Sequence, residues 1–169
     1  MTVHIQDSPA RAFREAGEAH DVDALVATLA DDVVFRSPLS ATARFAGKEQ
    51  VRELFSVAFG VLSELRYQND IGDDRRRALT ATARLGRQEI HEASLVEVGE
   101  NGLIKEITMW IRPLPGLTAM MAALGPGLAR ATGKPGLPWL VGAAVKPLAA
   151  MTRLGDRTLV PLLTRRRPR

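Results

Sequence analysis

No cysteine occurs in this chain of 169 residues, which excludes disulfides, thiolate metal sites and cysteine nucleophiles. The three histidines are scattered and show neither H-x-H nor H-E-x-x-H spacing, so we expect no metal site and no cofactor. No run of about 18 apolar residues is present, and no transmembrane helix is therefore predicted. Residues 1–9 lack the basic and apolar segments of a signal peptide, which favours a cytoplasmic protein.

Aromatic residues are scarce, with one tyrosine and two tryptophans in the whole chain. Proteins that bind single-stranded nucleic acid stack bases on aromatic side chains, so this composition argues against a nucleic-acid partner. The basic run Arg75–Arg77 is interpreted as a solvated hairpin turn. No glycine-rich phosphate-binding loop is present.

Acidic residues are nearly absent from the C-terminal third of the chain. Residues 1–113 carry a net charge of −4, whereas residues 114–169 carry +8 and contain Asp156 as their single acid. This asymmetry predicts that the C-terminal part meets something negative: an anionic membrane, a nucleic acid or the acidic domain itself.

The N-terminal part has the spacing of helices. Asp7–Pro9 predicts the start of a first helix, and Asp21 is the predicted N-cap of a second helix that ends at Asp31-Asp32. Apolar residues at i, i+3, i+4 and i+7 predict a longer helix over residues 51–62.

Extended patterns fill most of the remaining domain. Asn101-Gly102 is a strong hairpin signal, because both residues tolerate positive φ. Helices followed by an antiparallel meander predict an α+β fold with helices on one face of the sheet. The predicted strands cover residues 33–35, 64–71, 77–85, 88–98 and 103–112.

The C-terminal part resumes helical spacing over residues 117–128, although Gly125-Pro126 should kink or break that helix. Residues 133–138 have the composition of a linker. Two further apolar segments follow at 139–154 and 159–163.

Six short segments carry a family resemblance: His20–Leu25, Leu29–Phe35, Ser37-Pro38, Phe45–Val51, Gly102–Ile104 and Arg112–Leu114. Their pattern resembles the nuclear-transport-factor-2-like (NTF2-like) superfamily, in particular its SnoaL-like and ketosteroid-isomerase-like members. The resemblance covers residues 8–116 and implies an α+β cone, in which a strongly curved, mostly antiparallel sheet wraps around helices and leaves a pocket. Such domains often form homodimers through the outer sheet face. Residues 117–169 would be a basic helical extension.

The resemblance also places catalytic positions on this chain. Isomerases of this fold use a carboxylate base, with a tyrosine and a neutral carboxylic acid that hold an oxyanion. The base falls on Ser37 and the tyrosine on Phe13, whereas the neutral acid falls near Ser94 and a supporting tyrosine near Phe55. Phenylalanine cannot donate a hydrogen bond and serine is a poor base, so these replacements favour a binding protein over an isomerase of that kind.

Glu92 is the best remaining acid or base. It shares a strand face with Ser94 and Val96, whereas His91 points to the opposite face. Burial would raise the pKa of this carboxyl group. The alternative is that Glu92 lies at a sheet edge or a dimer face. The pocket lining that the resemblance implies is otherwise apolar: Phe13, Phe55, Val96, Ile107, Met109 and Ile111.

Three functions remain open at this point. The first is binding of an apolar small molecule, such as a polyketide, sterol, terpenoid or acyl chain. The second is a SnoaL-like isomerase, cyclase or dehydratase that uses Glu92, with Ser37 or Ser94 positioning the substrate. The third is an interaction protein whose cone is filled by its own core. The extension either packs on the domain, covering the pocket or extending a homodimer interface, or lies on an anionic membrane as a peripheral anchor.

Overall fold

The computed structural model describes residues 10–42, 44–131 and 136–164. The helices in this part are α1 (Arg11–Ala19), α2 (Val22–Ala27), α3 (Lys48–Phe59), α4 (Leu114–Ala131), α5 (Leu137–Thr158) and α6 (Val160–Thr164). The strands are β1 (Leu29–Arg36), β2 (Arg44–Ala46), β3 (Leu62–Gly72), β4 (Arg76–Leu85), β5 (Gln88–Val98) and β6 (Ile104–Arg112). The predicted α+β cone with a helical C-terminal extension is confirmed.

The strands form one curved, unclosed mixed sheet in the order β2-β1-β6-β5-β4-β3. β1 and β6 are parallel, whereas β3 to β6 form the expected antiparallel meander. The turn between β5 and β6 contains Asn101-Gly102, and Gly102 has a φ of 76°. Because β5 is an inner strand, Glu92 does not lie at a sheet edge, and that part of the alternative is wrong.

The N-terminal helices depart from prediction at their ends. Asp21 caps α2 as expected, since its Oδ1 accepts a hydrogen bond of 2.9 Å from the Ala24 N–H. α2 ends at Ala27, however, and Asp31-Asp32 belongs to β1 with both side chains exposed. The apolar residues on either side of this pair are buried in the core. Their packing keeps Asp31 and Asp32 in the strand. The predicted start of α1 at Asp7–Pro9 lies outside the described residues.

The hairpin between β3 and β4 contains a buried ion pair, so the solvated turn expected for all of Arg75–Arg77 is wrong. Arg77 is 1% exposed, and its guanidinium donates to the carboxylate of Asp70 and, at 3.1 Å, to the carbonyl of Asp73. A second guanidinium, that of Arg14 on α1, lies 3.0 Å from Asp70. A buried charge is tolerated when it is paired and hydrogen-bonded in this way.

α4 runs without a break from Leu114 to Ala131, although the sequence predicted a kink or break at Gly125-Pro126. Packing on both sides supports the helix there: α4 contacts α3, β5 and β6, and α5 lies along its other side. The Thr118 and Thr152 hydroxyl groups are hydrogen-bonded at 2.7 Å and join α4 to α5. None of the helices in the described ranges is long and apolar enough to cross a membrane.

Candidate ligand-binding and acid–base site

A cavity of about 230 Å³ lies between α3, the inner face of the sheet, the loop after β1 and α4. Its walls are almost entirely apolar. α4 belongs to the C-terminal extension, so the extension contributes part of the cavity wall. The lining residues that matter most are Ser37, Phe55, Tyr67, Glu92, Met109 and Leu128.

Glu92 brings a carboxyl group to this cavity from the middle of β5. Strand register aligns Tyr67 with Ala81 and Ala81 with Glu92, so the two polar side chains flank a small alanine on the same sheet face. The Glu92 carboxyl has no hydrogen-bond or ion-pair partner in the described part of the chain. Burial without a counter-charge raises the pKa of Glu92 to about 7.

Tyr67 supplies the second polar group. Its backbone N–H donates to Glu18 Oε1 at 2.7 Å, and its ring meets Phe13 edge-on with the centroids 6.5 Å apart. A Cβ atom at Gly17 would lie 3.3 Å from the Tyr67 hydroxyl, so the glycine lets α1 approach this ring closely. Burial raises the pKa of Tyr67, and the nearby Glu92 and Glu18 raise it further. Tyr67 therefore stays protonated near neutral pH and can donate a hydrogen bond.

Sequence reasoning missed Tyr67. Two features of the sequence could have indicated it. Tyr67 is the only tyrosine in the chain, and it lies in a strand whose Leu65 faces inward. Tyr67 and Leu65 are two residues apart and share a sheet face, whereas a charged residue lies between them.

Several residues singled out from the sequence line the cavity with Glu92. Phe55 and Met109 contribute apolar surface, and Ser37 lies in the loop directly after β1. The Ser37 hydroxyl accepts a hydrogen bond of 3.2 Å from the backbone N–H of Leu39. Ser37 can still donate its own hydroxyl proton toward a ligand.

The other candidates lie behind the cavity wall. Phe13, Val96 and Ile107 belong to the main core cluster, and Ile111 packs beside a second cluster that includes Met120 of α4. Ser94 is 3% exposed and pairs in register with Leu79 and Met109. Its hydroxyl oxygen has no hydrogen-bond partner among the residues described.

The site thus combines an apolar chamber with one carboxyl group that titrates near neutral pH. No group of three or more histidines and carboxylates suited to a metal ion occurs in the described ranges. The carboxyl group can donate a hydrogen bond when protonated and can accept a proton when ionised.

The curved sheet, the enclosed helices and the cavity define the class: the chain has an NTF2-like fold. More specifically, the chain belongs to the SnoaL-like domain family: the sequence pattern of that family matches residues 10–107. No curated protein matches the chain.

Solved structures with this fold include a steroid delta-isomerase from Pseudomonas aeruginosa, which is 23% identical with a TM-score of 0.67 and covers 79% of this chain and 100% of its own. An uncharacterised protein with a cystatin-like fold from Silicibacter pomeroyi is 25% identical with a TM-score of 0.66, over 73% of this chain and 85% of its own. A putative polyketide cyclase from Sinorhizobium meliloti is 18% identical with a TM-score of 0.51, over 60% and 92%. These likenesses show that the fold is shared.

Proposed function

We propose that this protein binds an apolar small molecule that carries one hydrogen-bonding group, such as a carbonyl or hydroxyl. The observation that supports this proposal is the single uncompensated carboxyl group, Glu92, in an otherwise apolar cavity. Apolar walls with few, well-placed polar groups are typical of sites for such ligands. The polar end of the ligand would lie near Glu92 and Tyr67, and its apolar part would contact α3 and α4.

The cavity volume limits the ligand. A volume of about 230 Å³ lies below the roughly 300–1,000 Å³ of pockets for drug-sized molecules. A short acyl chain or a small terpenoid therefore fits the cavity better than a sterol or a multi-ring polyketide.

The proposal is tested by native mass spectrometry of the protein purified from its own host, with organic extraction of what dissociates. We expect a discrete small molecule at one copy per site. Leu128→Trp should abolish its retention, because the larger side chain fills the cavity. Leu117→Trp is the matched control: it is another half-buried leucine of α4 and does not line the cavity. An apo mass for the unaltered protein would contradict the proposal and favour a cone filled by its own core.

A second candidate is proton-transfer catalysis, an isomerisation, cyclisation or dehydration of such a ligand. The specific observation in its favour is the Glu92 pKa of about 7, since an acid or base works best when its pKa is near the operating pH. Tyr67, protonated near neutral pH, would hold the developing oxyanion that Phe13 and Phe55 cannot hold.

Glu92→Gln separates the two candidates once the co-purified molecule is known. The amide keeps a donor and an acceptor but cannot take up a proton. If the protein is an enzyme, turnover should fall by at least about 100-fold, the lower range for loss of a general acid or base, while the molecule is still retained. Unchanged turnover would remove Glu92 from the catalytic role.

A further inference from the structure

Four arginines line a groove on the surface between the β4–β5 turn and the C-terminal helices. Arg84 and Arg87 come from the turn region, and Arg153 and Arg157 come from α5. None of the four makes an ion pair with an acid in the described part of the chain. Glu89 lies opposite Arg84 in strand register, but its carboxylate contacts His91 at 3.2 Å instead. The groove therefore carries uncompensated positive charge.

Helix α5 also exposes an apolar stripe beside this groove. Its buried side, with Gly142 and Ala149, packs on α4. Lys146, Arg153 and Arg157 follow each other at spacings of seven and four residues, which places all three on one flank of the helix. The exposed apolar residues recur at steps of three and four and form the opposite, water-facing side: Leu140, Ala143, Pro147, Met151 and Leu154.

Exposed apolar surface is concentrated in this region. Eight of the eleven exposed large apolar side chains in the described ranges belong to α5 and to the segment that continues into α6: Trp139, Leu140, Leu148, Met151, Leu154, Leu159, Val160 and Leu162. Exposed apolar side chains concentrated beside basic ones mark a site that another surface covers.

We propose that α5 and α6 lie on an anionic membrane, with the apolar stripe in the interface and the four arginines bound to lipid phosphates. An apolar face flanked by basic side chains is the pattern of helices that lie in the plane of a membrane. Trp139 is 73% exposed at the start of α5, and tryptophan is favoured at the level of the lipid headgroups. Arginine binds phosphate through two parallel hydrogen bonds, which suits it to this role.

Charge distinguishes this occupant from a second copy of the chain. A symmetric dimer pairs the same surface with itself, and in an antiparallel pair of α5 helices the two basic flanks would lie side by side. Like charges brought together in an interface oppose association. The described part of α5 contains one acid, Asp156, which cannot balance three basic side chains.

Vesicle binding tests the proposal with the full-length protein. We expect co-sedimentation with phosphatidylcholine vesicles that contain phosphatidylglycerol, no binding to phosphatidylcholine alone, and release by salt. Arg153→Gln with Arg157→Gln should weaken binding roughly 30-fold, from about fivefold per basic residue near an anionic surface. Arg44→Gln with Arg75→Gln is the matched control, because it removes two exposed arginines at the β2 edge and the β3–β4 turn.

The depth of insertion is tested by fluorescence. Trp110→Phe leaves Trp139 as the only tryptophan, and its emission should shift to shorter wavelength with anionic vesicles. Met151→Gln with Leu154→Gln should remove that shift without unfolding the protein, since both side chains are exposed by more than 60%.

Four results would overturn the proposal. Binding to neutral and anionic vesicles alike, or equal weakening by both arginine pairs, would show that the groove does not recognise lipid phosphate. The unaltered protein could instead fail to bind vesicles but be stabilised by inorganic phosphate, with that stabilisation lost in Arg153→Gln/Arg157→Gln. This result would make the groove a site for soluble anions. A dimer that Met151→Gln/Leu154→Gln dissociates would show that a second copy covers the stripe. None of these results bears on ligand retention in the cavity.

Discussion

At the scale of single residues, Glu92 links stability to pH. Its pKa is about 7 in the native state, against an ordinary value of 4.5. Between these values the native protein keeps a proton that the unfolded chain releases, so the free energy of unfolding falls as the pH rises. The loss between pH 5 and pH 8 should be about 2 kcal/mol.

Glu92→Gln should remove this contribution, because the amide does not titrate. Relative to the unaltered protein, the variant should gain about 2 kcal/mol of stability between pH 5 and pH 8, measured by urea unfolding at both values. Glu53→Gln changes an exposed carboxyl group on α3 and is the control. A stability difference that stays constant between the two pH values would mean that Glu92 is ionised and compensated in the native state.

Glu92 and Tyr67 also show how far residue-level prediction reaches. Strand parity was sufficient to place Glu92 on the inner face, because adjacent residues point to opposite sides of a sheet. The same rule could not bring Tyr67 to Glu92, since the two strands are separated by β4 and only the register through Ala81 aligns them. Strand register depends on the whole sheet and not on local sequence.

At the scale of elements, two hairpin glycines make different demands. Gly72 has a φ of 150°, and a Cβ atom there would lie 2.0 Å from the carbonyl oxygen of Arg76. Gly86 has a φ of 56° and open space around the same position. Gly72→Ala should therefore cost about 3 kcal/mol or more through backbone displacement, whereas Gly86→Ala should cost about 1–2 kcal/mol for the left-handed conformation.

Urea unfolding of both variants checks the difference. Gly72 pairs in register with Arg77, so displacement at Gly72 would also disturb the buried ion pair with Asp70. Equal costs for the two substitutions would show that the β3–β4 turn relaxes around the new methyl group.

Elements with strong periodicity were predictable from the sequence, and those decided by packing were not. The strands at 64–71 and 88–98 were found because apolar spacing and turn residues agreed. The helix predicted over residues 51–62 was found in the same way, although it runs from Lys48 to Phe59 and β3 begins at Leu62. β2 was missed because it has three residues and gains its pairing only from β1. The continuity of α4 through Pro126 was missed because it depends on neighbours that local sequence does not reveal.

At the scale of the whole molecule, the two faces of the sheet differ: helices cover the inner face, whereas the outer face is exposed. The inner sheet face packs on α1, α3 and α4 and encloses the cavity, and α5 faces outward with its basic flank. The outer sheet face remains uncovered in the described residues. Trp110 lies there, 55% exposed and paired in register with Ala93. The exposed surface around Trp110 suits a symmetric contact, in which each copy presents the same strands.

We propose that the protein forms a homodimer through this outer face, and light scattering on the purified protein tests it. Trp110→Glu should give monomers at micromolar concentration, because it places two like charges in the symmetric interface. Leu114→Glu is the control, since it charges a similarly exposed apolar side chain at the start of α4 and not on the sheet. Met151→Gln/Leu154→Gln should leave the dimer intact, because α5 would contact lipid and not the partner. A monomeric unaltered protein would contradict the homodimer proposal. A dimer that dissociates only with the α5 substitutions would place the interface at α5, and it would overturn the membrane proposal as well.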